Sequence, residues 1–234
     1  MKAVYRTDKG LIRATNQDSV VFDNSLLLFG VADGMGGHNG GDVASSTTEH
    51  MLRESLAGKE KSVNVLEEVI HMINDHIYEM QKLDPALNGM GTTLSVLWAC
   101  ENHVIMSHIG DSKVFLMHHQ KLRQISRDHS LVGEMVRKGS MTPEEAKKSP
   151  YRNMITRAVG TSPNLEIDSA MFDLCQGDRW LICSDGLTEH VAEREIEDWL
   201  KTDDLEYVVD TLMSLALERG GRDNISILIM EVDQ

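Results

Sequence analysis

The sequence predicts an α+β fold in which helices cover the outside of a sheet. Short apolar and β-branched runs, typical of strands, alternate with amphipathic segments of helical periodicity. Residues 100–103, Cys-Glu-Asn-His, separate two strand-like runs and indicate a hairpin turn, so part of the sheet is antiparallel. With 234 residues, 41% of them hydrophobic, the chain can form one well-buried domain, which we place at 1–234.

The strands are predicted from short runs rich in apolar and β-branched residues. These runs lie at 25–32, 93–100, 103–109, 113–118, 180–184 and 225–232. The clearest helix is 62–82, where apolar residues recur at intervals of three and four positions. Two further helices are predicted at 42–56 and 205–219.

One long segment, 128–160, has little strand signal. It contains short helical pieces, including one with Thr142 as N-cap, Pro143 at the first helical position and Glu145 completing a capping box. Local chemistry alone favours an ordinary surface excursion here.

Composition limits the possible partners and compartment. A formal net charge of -14 and a pI near 5.1 argue against nucleic acid or an anionic membrane as the main partner. No apolar run approaches the roughly 18 residues needed to span a membrane, and 1–8 does not resemble a signal peptide, so we expect a cytoplasmic protein. The three cysteines, Cys100, Cys175 and Cys183, form no CxxC pair, and we expect them to be buried thiols in a reducing cytosol.

Five aspartates stand out because each ends a strand-like run or lies in a tight turn, and each is followed by Gly, Ser or Asn. They are Asp18, Asp33, Asp111, Asp185 and Asp223. A carboxylate on so short a side chain, next to a small residue, suits a hard cation such as Mg²⁺ or Mn²⁺. If several converged they would repel one another strongly without a cation, so convergence would imply a metal centre. Taken singly, each is more typical of a turn.

Eight segments identify a family resemblance. In chain order they read RATNQDS, VADGMGGH, GMGTTLSV, SHIGDSKVFL, SRDHSLV, NMITRAVG, CSDGLTEHV and GRDNISILI. The chain, from about residue 5 to 230, resembles the metal-dependent type 2C Ser/Thr protein phosphatases in their compact bacterial form. The resemblance implies a four-layer α-β-β-α sandwich of two mainly antiparallel sheets flanked by helices. It also implies that 128–160 is a flap subdomain beside the active site.

The resemblance assigns the central metal ligands residue by residue. Asp33 would bridge two metal ions, the backbone carbonyl of Gly34 would bind one of them, and Asp185 and Asp223 would complete the set. Two cations about 3.5 to 4 Å apart lower the pKa of a bridging water and stabilise the attacking and leaving oxygens. The resulting hydroxide would attack phosphorus directly, without a phosphoenzyme.

Two more aspartates are matched with less direct roles. Asp18 would act mainly through metal-bound water, and Asp111 would share a third metal with Asp185; a hairpin-turn role is the alternative for Asp111. Gln17 stands where many relatives carry Glu. The neutral amide can still hold a metal-bound water but removes a negative charge, which leaves the metal affinity open and the presence of the metal expected.

Arg13 and His38 are the candidate residues for phosphate binding and proton transfer. Arg13 precedes Asp18 by five residues, as the phosphate-binding arginine does in the family, and a guanidinium matches phosphate geometry. His38 is the best placed histidine for a general acid. In eukaryotic relatives the histidine directly follows the Asp-Gly pair, where this chain has Met35, so a plain loop histidine remains the alternative.

Together these features predict a protein serine/threonine phosphatase that acts on phosphoserine and phosphothreonine with two or three Mn²⁺ or Mg²⁺ ions. The alternatives are a catalytically silent phosphoprotein-binding module of the same fold and a hydrolase of small phosphate esters. The expected partners are phosphorylated proteins, including a Ser/Thr kinase and its substrates, and we expect a monomer. The chain ends directly after its last predicted strand, so we expect no receptor or membrane domain of the kind found in longer relatives.

Overall fold

A computed structural model describes residues 1–233, with side chains everywhere except at 37–39. Its strands, in chain order, are β1 (Lys2–Asp8), β2 (Asp18–Asp23), β3 (Leu28–Met35), β4 (Gly91–Thr92), β5 (Leu94–Ala99), β6 (His103–Ile109), β7 (Lys113–His118), β8 (Lys121–Gln124), β9 (Asp168–Asp173), β10 (Arg179–Cys183) and β11 (Ile225–Glu231). The first sheet has the order β1-β11-β10-β7-β8, and the second has the order β2-β3-β5-β6-β9, with β4 paired to the end of β3. Every pairing is antiparallel.

The helices are α1 (Gly37–Leu56), α2 (Val63–Leu83), α3 (Leu131–Arg137), α4 (Pro143–Lys148), α5 (Asp185–Thr188), α6 (Glu193–Trp199) and α7 (Leu205–Glu218), with a 3₁₀ turn at Pro85–Leu87. Apolar residues of α1 and α2 pack on the outer face of the second sheet, and those of α6 and α7 pack on the outer face of the first. A third apolar cluster fills the space between the two sheets. The predicted four-layer α-β-β-α sandwich is therefore confirmed.

The central strands are buried on both faces, which explains their largely apolar sequences. In β5, Val96 and Trp98 belong to the cluster under the helices, while Leu97 faces the other sheet. In β10, Trp180 lies between the sheets and Leu181 lies under α7. Sheet faces covered on both sides need apolar residues at every position, not at alternate ones.

Four of the five strands that were not predicted from the sequence lie at the edges of the sheets, and the fifth is the two-residue β4. β1 and β8 are the edges of the first sheet, and β2 and β9 flank the main path of the second. Their residues are largely half-buried or exposed. An edge strand with one solvent-exposed face carries fewer apolar residues, so the apolar pattern that predicts a strand is weak there.

The strand predicted at 25–32 lies three residues later in the structure, as β3. The carboxylate of Asp23 accepts hydrogen bonds from the backbone N–H groups of Ser25 and Leu26, at 2.9 and 3.0 Å, and so closes a turn. Leu27 has a φ of 52°. The apolar residues at 26–27 therefore belong to the β2–β3 hairpin turn and not to the strand.

The prediction of three buried thiols is wrong for Cys175. Cys183 is buried and Cys100 half-buried, but Cys175 is exposed, and all three are free. Cys175 lies in the turn that leads from β9 into β10. Within residues 1–233, no helix is long and apolar enough to cross a membrane.

The segment 128–160 is fixed to the core at both ends. His129 donates its backbone N–H to the carbonyl of Gly110 at 2.7 Å, and Val159 forms a β-bridge with Thr92. Between these anchors lie α3 and α4. The predicted capping box of α4 is present, with Thr142 and Glu145 bonded to each other's backbone N–H groups.

Candidate metal centre

The topology brings the five aspartates to one end of the sandwich. In the second sheet, Asp18 at the start of β2 pairs directly with Asp33 near the end of β3. In the first sheet, Asp111 precedes β7, Asp185 follows β10 and Asp223 precedes β11. Because β7, β10 and β11 pair antiparallel, these three aspartates lie at the same end of the first sheet.

Burial and mutual repulsion raise the pKa values of the carboxylates in this cluster. Burial of its carboxyl group, and then the charges of the other four aspartates, raise the pKa of Asp33 well above its usual range. Burial also raises the pKa of Asp185 to about 8, with Asp111 and Asp223 adding to the effect. Such a cluster favours either bound protons or a multivalent cation.

Asp18 offers an oxygen with no protein partner. Its Oδ2 accepts a hydrogen bond from the hydroxyl of Ser184 at 2.9 Å, whereas Oδ1 is buried with no hydrogen-bond partner among the described residues. Burial raises the pKa of this carboxyl to about 6. A buried oxygen without a partner costs free energy, so this atom fits a role in holding a cation or its bound water.

The backbone at Asp33 and Gly34 is held rigidly. The N–H of Asp33 donates to the hydroxyl of Thr93, and the N–H of Thr93 donates back to the carbonyl of Asp33, both at 2.9 Å. A Cβ at Gly34 would lie 2.1 Å from the carbonyl oxygen of Gly41 and 2.5 Å from that of Gln17. Only glycine fits here, because α1 begins against this strand end.

Asp111 is accompanied by a lysine that sequence reasoning missed. Lys113 pairs with the carboxylate of Asp128. Burial lowers the pKa of this lysine, but the charges of Asp128 and Asp111 more than offset that, so its pKa is raised overall. For Asp111, burial raises the pKa to about 6, against the opposing effect of Lys113. A fixed positive charge therefore lies on this side of the cluster.

Arg13 lies at the rim of the acidic cluster. Its Nη2 donates to Oδ2 of Asp223 at 2.6 Å, and about half of the side chain is exposed. This hydrogen bond, with the charges of Asp223, Asp185 and Asp33, raises the pKa of the guanidinium. The arginine therefore places donor groups between the carboxylates and solvent.

Asn224 is a second residue that sequence reasoning missed. Its Oδ1 accepts the backbone N–H of Gln17 at 2.9 Å, and its Nδ2 donates to the carbonyls of Lys9 and Thr15, each at 2.9 Å. These three bonds attach the 9–17 loop, which carries Arg13, to the start of β11. The sequence shows only an asparagine directly after an aspartate, ahead of an apolar run, and this does not reveal the three contacts.

The two histidines considered from the sequence have different outcomes. His38 lies on α1, but its side chain is outside the described part of the structure, so its role stays a prediction. His129 is buried: its Nδ1 accepts from the N–H of Gly110 at 3.2 Å, and its Nε2 lies 3.2 Å from a carboxylate oxygen of Asp168. These contacts fit a structural role in orienting the loop that leads into 128–160.

The carboxylates are spaced openly. Within residues 1–233, no three of the five aspartates bring one oxygen each within 4.8 Å of one another. This spacing suits Mg²⁺ or Mn²⁺ that keep several water ligands, and it does not suit a closed protein cage. The donor set and the unpartnered oxygen of Asp18 both fit a hydrated metal centre.

Comparison with known proteins agrees with this geometry. The model of the family described as protein phosphatase 2C matches residues 13–225. The chain belongs to the protein phosphatase 2C family. Within it, the serine/threonine phosphatase stp of Listeria monocytogenes serotype 4b is 37% identical over 243 residues, covering 100% of this chain and 96% of the relative.

Solved structures of this family superpose closely. The crystal structure of the Mycobacterium tuberculosis serine/threonine phosphatase PstP/Ppp has a TM-score of 0.94 and 35% identity, covering 100% of this chain and 99% of that one. A structure of the catalytic domain of PstP in complex with two manganese ions has a TM-score of 0.92 and 34% identity, with coverage of 100% and 98%. Metal-dependent chemistry is therefore a property of the family to which the chain belongs.

Proposed function

We propose that this protein is a metal-dependent protein serine/threonine phosphatase that removes phosphate from phosphoserine and phosphothreonine. The observation that carries the proposal is the convergence of five carboxylates at one end of the sandwich with an arginine at their rim. Full-length similarity to the Listeria phosphatase supports the substrate class. The site would take two or three Mn²⁺ or Mg²⁺ ions, as the two-manganese complex of PstP suggests.

The proposed metal ligands come from both sheets. Asp33 would hold both central ions and the carbonyl of Gly34 one of them, and Asp185 and Asp223 would complete the ligand set from the facing sheet. Bound metal supplies an activated water nucleophile and positive charge for the phosphate oxygens. The protein itself supplies a rigid backbone at 33–34, which Thr93 fixes from both directions.

The remaining two aspartates would act at the periphery. Asp18, with one buried oxygen that has no hydrogen-bond partner among the described residues, would hold metal-bound water. Asp111, partly neutralised by Lys113, would share a weaker third ion with Asp185. Because Lys113 opposes the binding of a cation there, we expect the third ion to be the most easily lost.

Arg13 would bind the substrate phosphate. Its exposed guanidinium already bonds a carboxylate at 2.6 Å, and a phosphate entering the cleft would meet the remaining donors of the same planar group. His38 stays the proposed proton donor to the leaving serine or threonine oxygen, since its position on α1 follows the Asp33 strand by a few residues.

We further propose that 128–160 forms a substrate-facing flap subdomain. It carries basic residues at or within its borders, namely Arg127, Arg137, Lys138, Lys147, Lys148, Arg152 and Arg157. Tyr151 and Met154 are more than half exposed there, which gives the segment apolar as well as basic contacts for a protein substrate. The proposed partners are phosphoproteins, including a Ser/Thr kinase and its substrates. We propose that the enzyme is monomeric and acts in signalling in the cytoplasm, a compartment in which its three cysteines would stay free of disulfide bonds.

The alternatives are a silent phosphoprotein-binding module and a hydrolase of small phosphate esters. Release of phosphate from a phosphothreonine peptide, with Mn²⁺, Mg²⁺ or a chelator, separates the three. We expect turnover with Mn²⁺ or Mg²⁺ and none with chelator. Binding without turnover would indicate the silent module, and turnover of an aryl phosphate but not of the peptide would indicate the small-ester hydrolase.

A further inference from the structure

A second group of metal-ligating side chains lies away from the aspartate centre. His118 is the last residue of β7, and Cys175 and Asp178 begin and end the turn before β10. Asp111 lies beyond the other end of β7, a six-residue strand that spans about 17–20 Å. The two groups are therefore at opposite ends of the first sheet.

The three side chains are close together and differ in burial. One ligand atom from each lies within 4.8 Å of the other two. Nδ1 of His118 is 2.7 Å from Oδ1 of Asp178, and the backbone N–H of Cys175 donates to Oδ2 of the same carboxylate at 3.3 Å. Asp178 is buried, whereas His118 is half-exposed and Cys175 exposed. The carboxylate is thus fixed, and the imidazole and thiol can reorient from the solvent side.

The ligand chemistry differs from that of the aspartate centre. A thiolate, an imidazole and a carboxylate are the ligands that Zn²⁺ binds in tetrahedral sites, while Mg²⁺ and Mn²⁺ prefer oxygen. Zinc bonds of about 2.0–2.3 Å require ligand atoms roughly 3.3–3.7 Å apart in a tetrahedron. Nδ1 of His118 and Oδ1 of Asp178, now 2.7 Å apart, would have to separate to that spacing, while the sulfur of Cys175 already lies within 4.8 Å of a ligand atom of each. The ring of His119 packs against that of His118, with 4.0 Å between the ring centroids.

We propose that His118, Cys175 and Asp178 form a Zn²⁺ site with water as the fourth ligand. The ion would join the end of β7 to the connection between β9 and β10, and this connection links the two sheets. It would strengthen the end of the sandwich remote from the aspartates, without a part in phosphate hydrolysis.

Cobalt absorption tests the site, because a thiolate bound to Co²⁺ gives a charge-transfer band that carboxylate ligands do not. We expect metal-free protein to show this band once Co²⁺ exceeds the three ions that the aspartate centre could take, and Zn²⁺ to abolish it. The band should disappear in Cys175→Ser and persist in the matched control Cys100→Ser and in Asp33→Asn. No band in the wild-type protein, or an unchanged band in Cys175→Ser, would overturn the proposal.

Two further measurements check the ligand set and the independence of the site. His118→Asn should weaken Zn²⁺ binding at least tenfold in calorimetry on the Asp33→Asn background, and unchanged affinity would contradict the assignment. Cys175→Ser should keep the Mn²⁺-supported kcat/KM of the wild type within about twofold. A tenfold loss in that variant would show that the group serves the catalytic centre and is not a separate site.

Discussion

At the scale of single residues, the contacts of two side chains indicate what each does in the site. Arg13 bonds Asp223 and faces solvent, so it is available to an incoming anion. Asn224 bonds three backbone groups of the loop that carries Arg13. The first residue would contact phosphate directly, and the second would position it.

Replacement of Arg13 by Ala should raise the KM for a phosphothreonine peptide. A charge-assisted contact is worth about 1.5–3 kcal/mol, so we expect a rise of roughly tenfold or more. Steady-state kinetics with Mn²⁺ measure it, and Arg53→Ala, on the far part of α1, is a matched control. Unchanged KM and kcat would place Arg13 outside the phosphate site.

Replacement of Asn224 by Ala should destabilise the protein and impair catalysis together. One backbone N–H and two carbonyls would lose their partners, which costs about 2–4 kcal/mol in the free energy of unfolding. Urea denaturation measures this loss. Asn16→Ala in the same loop should cost less, because the Asn16 amide donates to the hydroxyl of Thr7 and accepts a single backbone N–H, that of Asp18 at 3.2 Å. Equal losses in the two variants would contradict the anchoring role.

At the scale of elements, the metal centre could be predicted from the sequence although long stretches of chain separate its aspartates. Other contacts of the site could not be predicted. Asp33 and Asp185 were recognisable because each ends an apolar run with a glycine behind it. A Cβ at Gly186 would lie 2.1 Å from the carbonyl oxygen of Asn224, so that glycine is required by packing. Nothing in the local sequence of Lys113 or Asn224 shows their contacts, which arise only from strand pairing and loop closure.

The edge strands and the Cys175 turn were missed for a related reason. Their residues face solvent on at least one side, so neither apolar periodicity nor length distinguishes them from loops. The proximity of His118 to Cys175 depends on the pairing of β7 with β10, which chain order does not reveal.

The segment 128–160 gives a prediction at the same scale. Deletion of 139–149 should reduce kcat/KM for phosphoproteins far more than for a small aryl phosphate, because the small substrate needs only the metals and Arg13. The anchors at His129 and Val159 lie outside the deletion, so the core should remain folded. Equal proportional losses on both substrates would mean that the segment supports the fold and does not select the substrate.

At the scale of the whole molecule, the acidic centre should cost stability when no cation is bound. The folded-state pKa of Asp185, about 8, lies above its ordinary value of 3.8. The folded state therefore binds a proton that the unfolded state has released, and stability falls as pH rises towards 8. Burial lowers the pKa of His108 to about 4. This residue makes stability rise with pH, but only below about pH 6.5, where the unfolded histidine binds a proton.

Metal-free protein should therefore lose about 1–2 kcal/mol of unfolding free energy between pH 6.5 and pH 8. Mn²⁺ should restore it, because a ligand that binds only the folded state stabilises that state. Thermal unfolding with and without Mn²⁺ measures both effects, and Asp185→Asn should flatten the metal-free profile. If the stability difference between the Mn²⁺-bound and metal-free proteins does not grow with pH, repulsion among the carboxylates does not destabilise the metal-free protein.

The most direct test of the five-aspartate metal centre is kcat/KM on a phosphothreonine peptide in Asp33→Asn and Asp185→Asn at saturating Mn²⁺. Each change removes a ligand charge that would hold the ions, so we expect a loss of at least about a hundredfold, beyond that typical of residues supporting a metal ligand. Circular dichroism should show both variants folded, and the exposed-site control Asp198→Asn should retain full activity. Folded variants that keep most of the wild-type kcat/KM would contradict the metal assignment.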